Sequence, residues 1–374
     1  MCYIPSMSRI VTLLFMLALP AAVKAAGLPP IQTVFLILME NHDWASIQGS
    51  ADAPYINGTL LPMASYCRQY YNPQGLHPSE PNYLWLEAGT NFGITDDSDP
   101  LSNHQNTTNH LVALLRNAGV SWKTYQEDIN GQYVPLTDTN NYAPKHNPFV
   151  IFDDVTGTNN VNDAYGIAHI RPYSELAGDL ASNTVARYNF ITPNLCDDMH
   201  DSCSPFNNEV RQGDNWLASE LPKILSAPAY TNGGALFITW DESDSGPIGM
   251  IVLSSLARGG GYFNNIQYTH SSMLRTAQEV FGVGPLLRDA ADVTDLSDLF
   301  SRFELSGIVN MPGFGVQLTA TGVIPGKTNW LQASEDLSHW TSISTNSVST
   351  NRFVVTDSAA TNFNARFYRL VQVP

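Results

Sequence analysis

Residues 34–39 (Val-Phe-Leu-Ile-Leu-Met) run without a break into Glu40-Asn41-His42-Asp43. A strand buried on both faces reads as such a continuous apolar run, and it marks a parallel sheet covered by helices. In open α/β sheets, ligands gather just beyond the carboxyl ends of the strands. A carboxylate and an amide at that place suit a hard metal ion better than a hydrophobic interior. A polar strand-to-loop turn, with Asn41 and Asp43 as its turn residues, explains the segment equally well.

The pattern recurs along the first 300 residues. Residues 120–125, 188–191, 235–240 and 250–254 read as further strands. Residues 111–117, 215–226 and 271–281 read as amphipathic helices. Such alternation predicts an α/β fold, a mostly parallel sheet sandwiched by helices. Long connections rich in Asn, Asp, Pro and Gly, such as residues 95–108 and 128–147, read as surface loops near a site. The texture changes near Glu304. Beyond it, residues 316–320, 329–333, 341–344, 353–357 and 366–373 are short β-type segments separated by turn residues. The expected division is a catalytic domain over residues 26–305, a linker over 306–315 and a small β-sandwich-like accessory domain over 316–374.

Arg9, the apolar stretch 10–23 and Val23-Lys24-Ala25 form a secretory signal pattern over residues 1–25. The chain is therefore expected to be secreted or periplasmic. Without that segment it carries 16 basic against 34 acidic residues, a net charge of −18. This charge argues against nucleic acid or an anionic membrane as the main partner. A phosphorylated substrate stays possible, because a bound metal inverts the local field. Export makes disulfides permissible. Of Cys67, Cys196 and Cys203, the last two are close in sequence and make the better pair.

Four more segments carry chemistry. In His77-Pro78-Ser79-Glu80-Pro81-Asn82-Tyr83, Pro81 sits where a helix would begin and Ser79 falls at or just before its N-terminus, where free N–H groups favour an anion. An ordinary capping serine reads the same way. Asp241-Glu242 ends an apolar strand as Glu40-Asn41 does, and the four together face one crevice. Asn194, Asp198 and His200 follow the strand 188–191, and His270 precedes the helix 271–281. Asp198, His200 and His270 suit either a second metal or phosphate binding with proton transfer to a leaving group.

This ordered set resembles the phosphoesterase family that contains bacterial and fungal phospholipases C and acid phosphatases, within the alkaline-phosphatase superfamily. The resemblance spans about residues 32–285. It implies an alkaline-phosphatase-like fold, with Ser79 as nucleophile and Glu40, Asn41, Asp241 and Glu242 as metal ligands. His77, Asn194, Asp198, His200 and His270 match polar positions around the phosphate. Zinc-type members carry Asp-His where this chain has Asp241-Glu242, which favours one hard cation (Ca²⁺, Mg²⁺ or Mn²⁺) over a two-zinc site.

The expected function is a metal-dependent phosphoric ester hydrolase, an acid-phosphatase-like monoesterase acting on a small phosphoester. Its competitor is a phospholipase C acting on phospholipid, with Tyr70, Tyr71, Tyr83 and Trp85 as an aromatic wall. A reading of another class is a binding or adhesion protein with a decayed catalytic domain. The C-terminal region is a candidate for surface or glycan contact.

Overall fold

A computed structural model describes residues 27–372 apart from residues 244, 302 and 364. The expected signal segment lies outside the described residues. The strands, in chain order, are β1 (Thr33–Met39), β2 (Ser65–Cys67), β3 (Tyr70–Tyr71), β4 (Trp122–Gln126), β5 (Ile170–Pro172), β6 (Tyr188–Thr192), β7 (Gly234–Trp240), β8 (Met250–Ser254), β9 (Tyr262–Asn264) and β10 (Tyr268–Thr269). The longer helices are α1 (Ser79–Ala88), α2 (Leu111–Asn117), α3 (Leu176–Ser182), α4 (Glu209–Leu225) and α5 (His270–Phe281).

Eight strands form one sheet in the order β5-β4-β6-β1-β7-β8-β2-β9. Strands β5, β4, β6, β1 and β7 are parallel neighbours, and β8 runs against β7 and β2. All seven residues of β1 and all seven of β7 are buried. Side chains alternate between faces along a strand, so burial at every position means that both faces are covered. The covers are two helix groups: α1, α2 and α5 touch one another, and α3 touches α4. Among the described residues, no helix is long and apolar enough to cross a membrane.

Register positions the site. Met39 of β1 lies opposite Trp240 of β7, so Glu40 and Asp241 leave neighbouring strand ends side by side. The Asp241 N–H donates to Met39 O at 2.9 Å, and the Glu40 N–H donates to Asp198 O at 2.7 Å. The third strand end, that of β6, is thereby tied to the first.

Helix α4 begins six residues earlier than its periodicity suggests. Gly213 interrupts the apolar pattern because the helix there lies against Met199: a Cβ on Gly213 would sit 2.4 Å from Met199 Cγ. Met199 itself has a φ of 81°, and its sulfur accepts a hydrogen bond from Trp240 Nε1 at 3.4 Å.

The C-terminal region holds two antiparallel sheets. Their strands are β11 (Glu304–Met311), β12 (Gly315–Thr321), β13 (Thr328–Ser334), β14 (Thr341–Ser347), β15 (Arg352–Asp357) and β16 (Phe367–Gln372), ordered β11-β12-β15 and β14-β13-β16. Residues 306–315 are therefore not a linker, since most of them are strand β11 and its turn into β12. Ser306 and Gly307 masked the β-run, and the register shifts between Leu305 and Gly307, as glycine permits in a strand.

Candidate active site

Helix α1 starts at Ser79, and Ser79 Oγ donates to Glu40 Oε2 at 3.2 Å in a buried contact. The next main-chain N–H, of Glu80, donates to Asp97 Oδ1 at 2.9 Å, which fixes the start of the helix. Tyr83, one turn along, donates its hydroxyl to Glu40 Oε1 at 2.6 Å. Glu40 thus faces the first turn of α1 with both oxygens.

Asp241 is fully buried, and its Oδ1 accepts the Asn41 N–H at 3.0 Å. Asn41 is exposed with a φ of 48°, and the contact it contributes here is that main-chain one. Glu242 Oε2 pairs with His77 Nδ1 and accepts Asn82 Nδ2 at 3.3 Å. Asp198 Oδ1 accepts the His200 N–H at 2.8 Å. His42 supports the loop, with Nδ1 against Glu40 O at 2.9 Å.

Two residues in the loop 128–147 enter the site although its sequence carries no periodic signal. His146 is stacked on Tyr83, with ring centroids 5.2 Å apart. Its nitrogens lie 3.4 Å from Glu40 Oε1 and 3.3 Å from Asp198 Oδ2, close but not aligned for hydrogen bonds. Lys145 Nζ lies 3.1 Å from Asp97 Oδ2 and 3.4 Å from His200 Nε2. Burial works against the Lys145 charge, but Asp97, Glu40 and Asp241 hold its ammonium above the usual range. The short stretch Lys145-His146-Asn147-Pro148 was the available signal.

The carboxylates share one electrostatic condition. Burial first, then Asp241 and Asp198, pushes Glu40 well up. Burial likewise raises Asp198 and Asp241. Glu242 is pushed up to about 7 by burial and by Asp241. Carboxylates so crowded favour either protonation or a cation between them. The donor set fits a cation: Asp241 Oδ2 and Asp198 Oδ2 are buried lone-pair carriers with no hydrogen-bond partner. Glu40, His146 and His200 also bring ligand atoms within 4.8 Å of one another. The oxygen set around Glu40, Ser79 and Asp241 suits a hard cation better than that trio, because the Lys145 ammonium already faces His200.

Two of the expected site residues are tied to the main chain. His270 is fully buried, with Nε2 2.6 Å from Asp241 O and Nδ1 3.3 Å from Tyr70 Oη. Burial pushes it down to about 4, so it is a neutral ring with both nitrogens engaged. Its Nε2 contact holds the main chain of Asp241 at the strand end. Asn194 Oδ1 accepts the N–H groups of Cys196 and Asp197 at 3.0 and 3.1 Å, so this oxygen shapes a turn and fixes the orientation of the amide. Cys196 and Cys203, at the far end of that turn, are joined by a disulfide.

An α/β sheet with a serine and four carboxylates at adjoining strand ends defines a hydrolase of the phosphoryl-transfer type. Residues 65–246 match the model of the Phosphoesterase family. That span holds Ser79, Lys145, His146, Asp198, His200, Asp241 and Glu242. Phosphatidylinositol-3-phosphatase of Mycobacterium tuberculosis is 29% identical over 279 residues, 74% of this chain and 85% of that protein. The phosphate-repressible acid phosphatase of Penicillium chrysogenum is 29% identical over 223 residues, 57% of this chain and 51% of that enzyme. Phospholipase C A of M. tuberculosis is 26% identical over 227 residues, 54% of this chain and 41% of that enzyme. The chain thus spans about half the length of the fungal enzyme and less of the phospholipase. Among solved structures, a Vibrio parahaemolyticus protein in the alkaline phosphatase superfamily overlaps 87% of each chain, with a TM-score of 0.48 and 10% identity.

Proposed function

We propose that this hydrolase is a secreted, metal-dependent phosphomonoesterase that works through a phosphoseryl intermediate on Ser79. The observation that carries the reading is the buried Ser79 hydroxyl at the start of α1, hydrogen-bonded to Glu40 among crowded carboxylates. Glu40, Asp241 and the Ser79 hydroxyl, with Asn41 and Glu242 beside them, would hold one divalent cation. Such an ion supplies positive charge that lowers the hydroxyl pKa and offsets charge on phosphoryl oxygens.

Ser79 Oγ forms the bond to phosphorus as the bond to the ester oxygen breaks. The Ser79 proton leaves along its existing hydrogen bond to Glu40 Oε2. Lys145 and His200 face the same cleft and supply donors for the phosphoryl oxygens and a proton for the departing alkoxide. Water then attacks the phosphoserine, releasing phosphate and regenerating the serine.

The monoesterase reading gains support over a phospholipase C. Tyr70 and Tyr83 are core residues, and Trp85 Nε1 is bound to Ser271 Oγ at 2.7 Å. The aromatic wall for acyl chains is thus largely used up inside the fold. A decayed binding protein is disfavoured by the intact serine, carboxylate and histidine set.

The test is hydrolysis of an aryl phosphomonoester and of phosphatidylcholine, with added divalent cation and after chelation. Turnover of the monoester should require the cation. Ser79→Ala should lose roughly 10³-fold or more of that turnover while its unfolding transition is retained. Substantial residual activity would remove Ser79 from the nucleophile role.

A further inference from the structure

Asp97 takes no part in the chemistry above, yet its two oxygens join two of the groups that do. It lies in the connection between α1 and the short helical turn Pro100–Asn103. Its Oδ1 accepts the Glu80 N–H at 2.9 Å, one residue beyond the serine that opens α1. Its Oδ2 lies 3.1 Å from Nζ of Lys145, in the loop 128–147. One carboxylate thus spans the helix of the nucleophile and the ammonium that stands 3.4 Å from His200 Nε2. Asp97, Lys145 and His200 line one cavity of about 290 Å³.

A carboxylate at a helix start is ordinarily a cap, and capping alone accounts for Oδ1. It does not account for Oδ2. A lysine ammonium carries three donors at the end of a flexible four-carbon stem. Around Lys145 the loop offers only the three-residue turn Pro144–His146, which cannot fix that stem. Asp97 takes one donor and His200 faces a second, which leaves the third for a ligand.

The surrounding charge decides what such a lysine can select. Glu40, Asp198, Asp241 and Glu242 are buried at the strand ends, and Asp99 and Asp138 are exposed on the cavity wall. Lys145 is the one lysine or arginine among the described lining residues. Coulomb energy follows the product of the charges, so losing this cation costs a dianion about twice what it costs a monoanion. A phosphomonoester is a dianion above its second pKa of about 6, whereas a diester stays a monoanion.

We propose that Asp97 is a positioning residue that holds Lys145 at the cleft, and that Lys145 so held selects a dianionic phosphoryl group over a monoanionic one. The proposal rests on the phosphoester reading above and assigns its monoester preference to one ion pair.

The experiment uses the cation-loaded protein at about pH 8, well above the second phosphate pKa of about 6. It compares kcat/KM for p-nitrophenyl phosphate and methyl p-nitrophenyl phosphate, which share a leaving group and differ by one charge. In Lys145→Met the monoester-to-diester ratio should fall about tenfold, the worth of one hydrogen bond to a charged group. Asp97→Asn keeps an oxygen for the Glu80 N–H but no charge for Lys145. Its melting temperature should stay near that of the unaltered protein while the ratio falls about threefold, as for a partly exposed ion pair. The double variant should match Lys145→Met alone, because nothing is left for Asp97 to hold. Inhibition constants for inorganic phosphate and dimethyl phosphate give the same comparison should the diester turn over too slowly to measure.

Both esters falling equally in Lys145→Met would overturn the selection. A double variant whose ratio falls by the product of the two single effects would overturn the positioning role, since Asp97 would then act independently of Lys145. No turnover of either ester by the unaltered protein would overturn the phosphoester reading and this inference with it.

Discussion

Asp241 is held from three directions at once. Its N–H is on Met39 O, its Oδ1 is under the Asn41 N–H, and its carbonyl receives His270 Nε2. His270 therefore acts on the chemistry through Asp241. His270→Ala should lower stability by about 1–3 kcal/mol, because it strands a buried carbonyl and the Tyr70 hydroxyl. Activity should fall with it, and His270→Gln, which can still donate to the carbonyl, should restore part of both. The alkaline limb of the pH–rate profile should survive in His270→Gln; its disappearance would return His270 to the role of acid. Glu40, Asp241 and Ser79 were legible as a convergent set because each sits where a periodic element stops. Lys145 and His146 were not, because a loop of irregular structure has no period to betray which side chains turn inward.

At the scale of elements, α1 carries a second buried acid that the chemistry does not use. Glu87 is fully buried against β6 and accepts the Tyr188 hydroxyl at 2.5 Å, while its Oε2 has no partner. Burial pushes it from an ordinary 4.5 up to about 8, the Tyr188 bond opposing the rise. The folded state thus binds this proton more tightly than the unfolded chain. Its contribution is fully present below about pH 4.5 and is lost as the pH climbs to about 8, at up to about 1.4 kcal/mol per pH unit. Glu87→Gln should flatten the stability profile over that window and raise the melting temperature at pH 8 more than at pH 5, as thermal unfolding at the two pH values will show. Equal shifts at both would place the titration elsewhere. The central strands were readable from apolar runs alone. The three-residue strands β2, β5 and β9 were not, since so short a segment shows neither alternation nor a run.

Across the whole molecule, the C-terminal sheets are fastened to the α/β part by more than a chain crossing. Ile324, which follows β12, is fully buried within the main hydrophobic core and covers Gly233 just before β7. Ile324→Ala should cost about 2–5 kcal/mol, as expected for a buried isoleucine. The loss should appear as a lower midpoint for the catalytic part, followed by circular dichroism alongside activity. An unchanged midpoint of activity loss would mean that the two regions unfold independently. The change of texture near Glu304 was visible in sequence, but this joint was not, because a single isoleucine after a turn carries no mark of what it touches.

The close contact of Gly213 with Met199 has a consequence for how the active centre can be altered. Met199 stands between Asp198 and His200 in a backbone conformation that L residues seldom adopt, and α4 presses on it from behind. Position 213 is therefore a set-screw. A single methyl group added on that helix, outside the cleft itself, would push on the segment that carries both polar residues. Natural or laboratory variation in catalytic performance should be sought along the back of α4 as well as in the cleft.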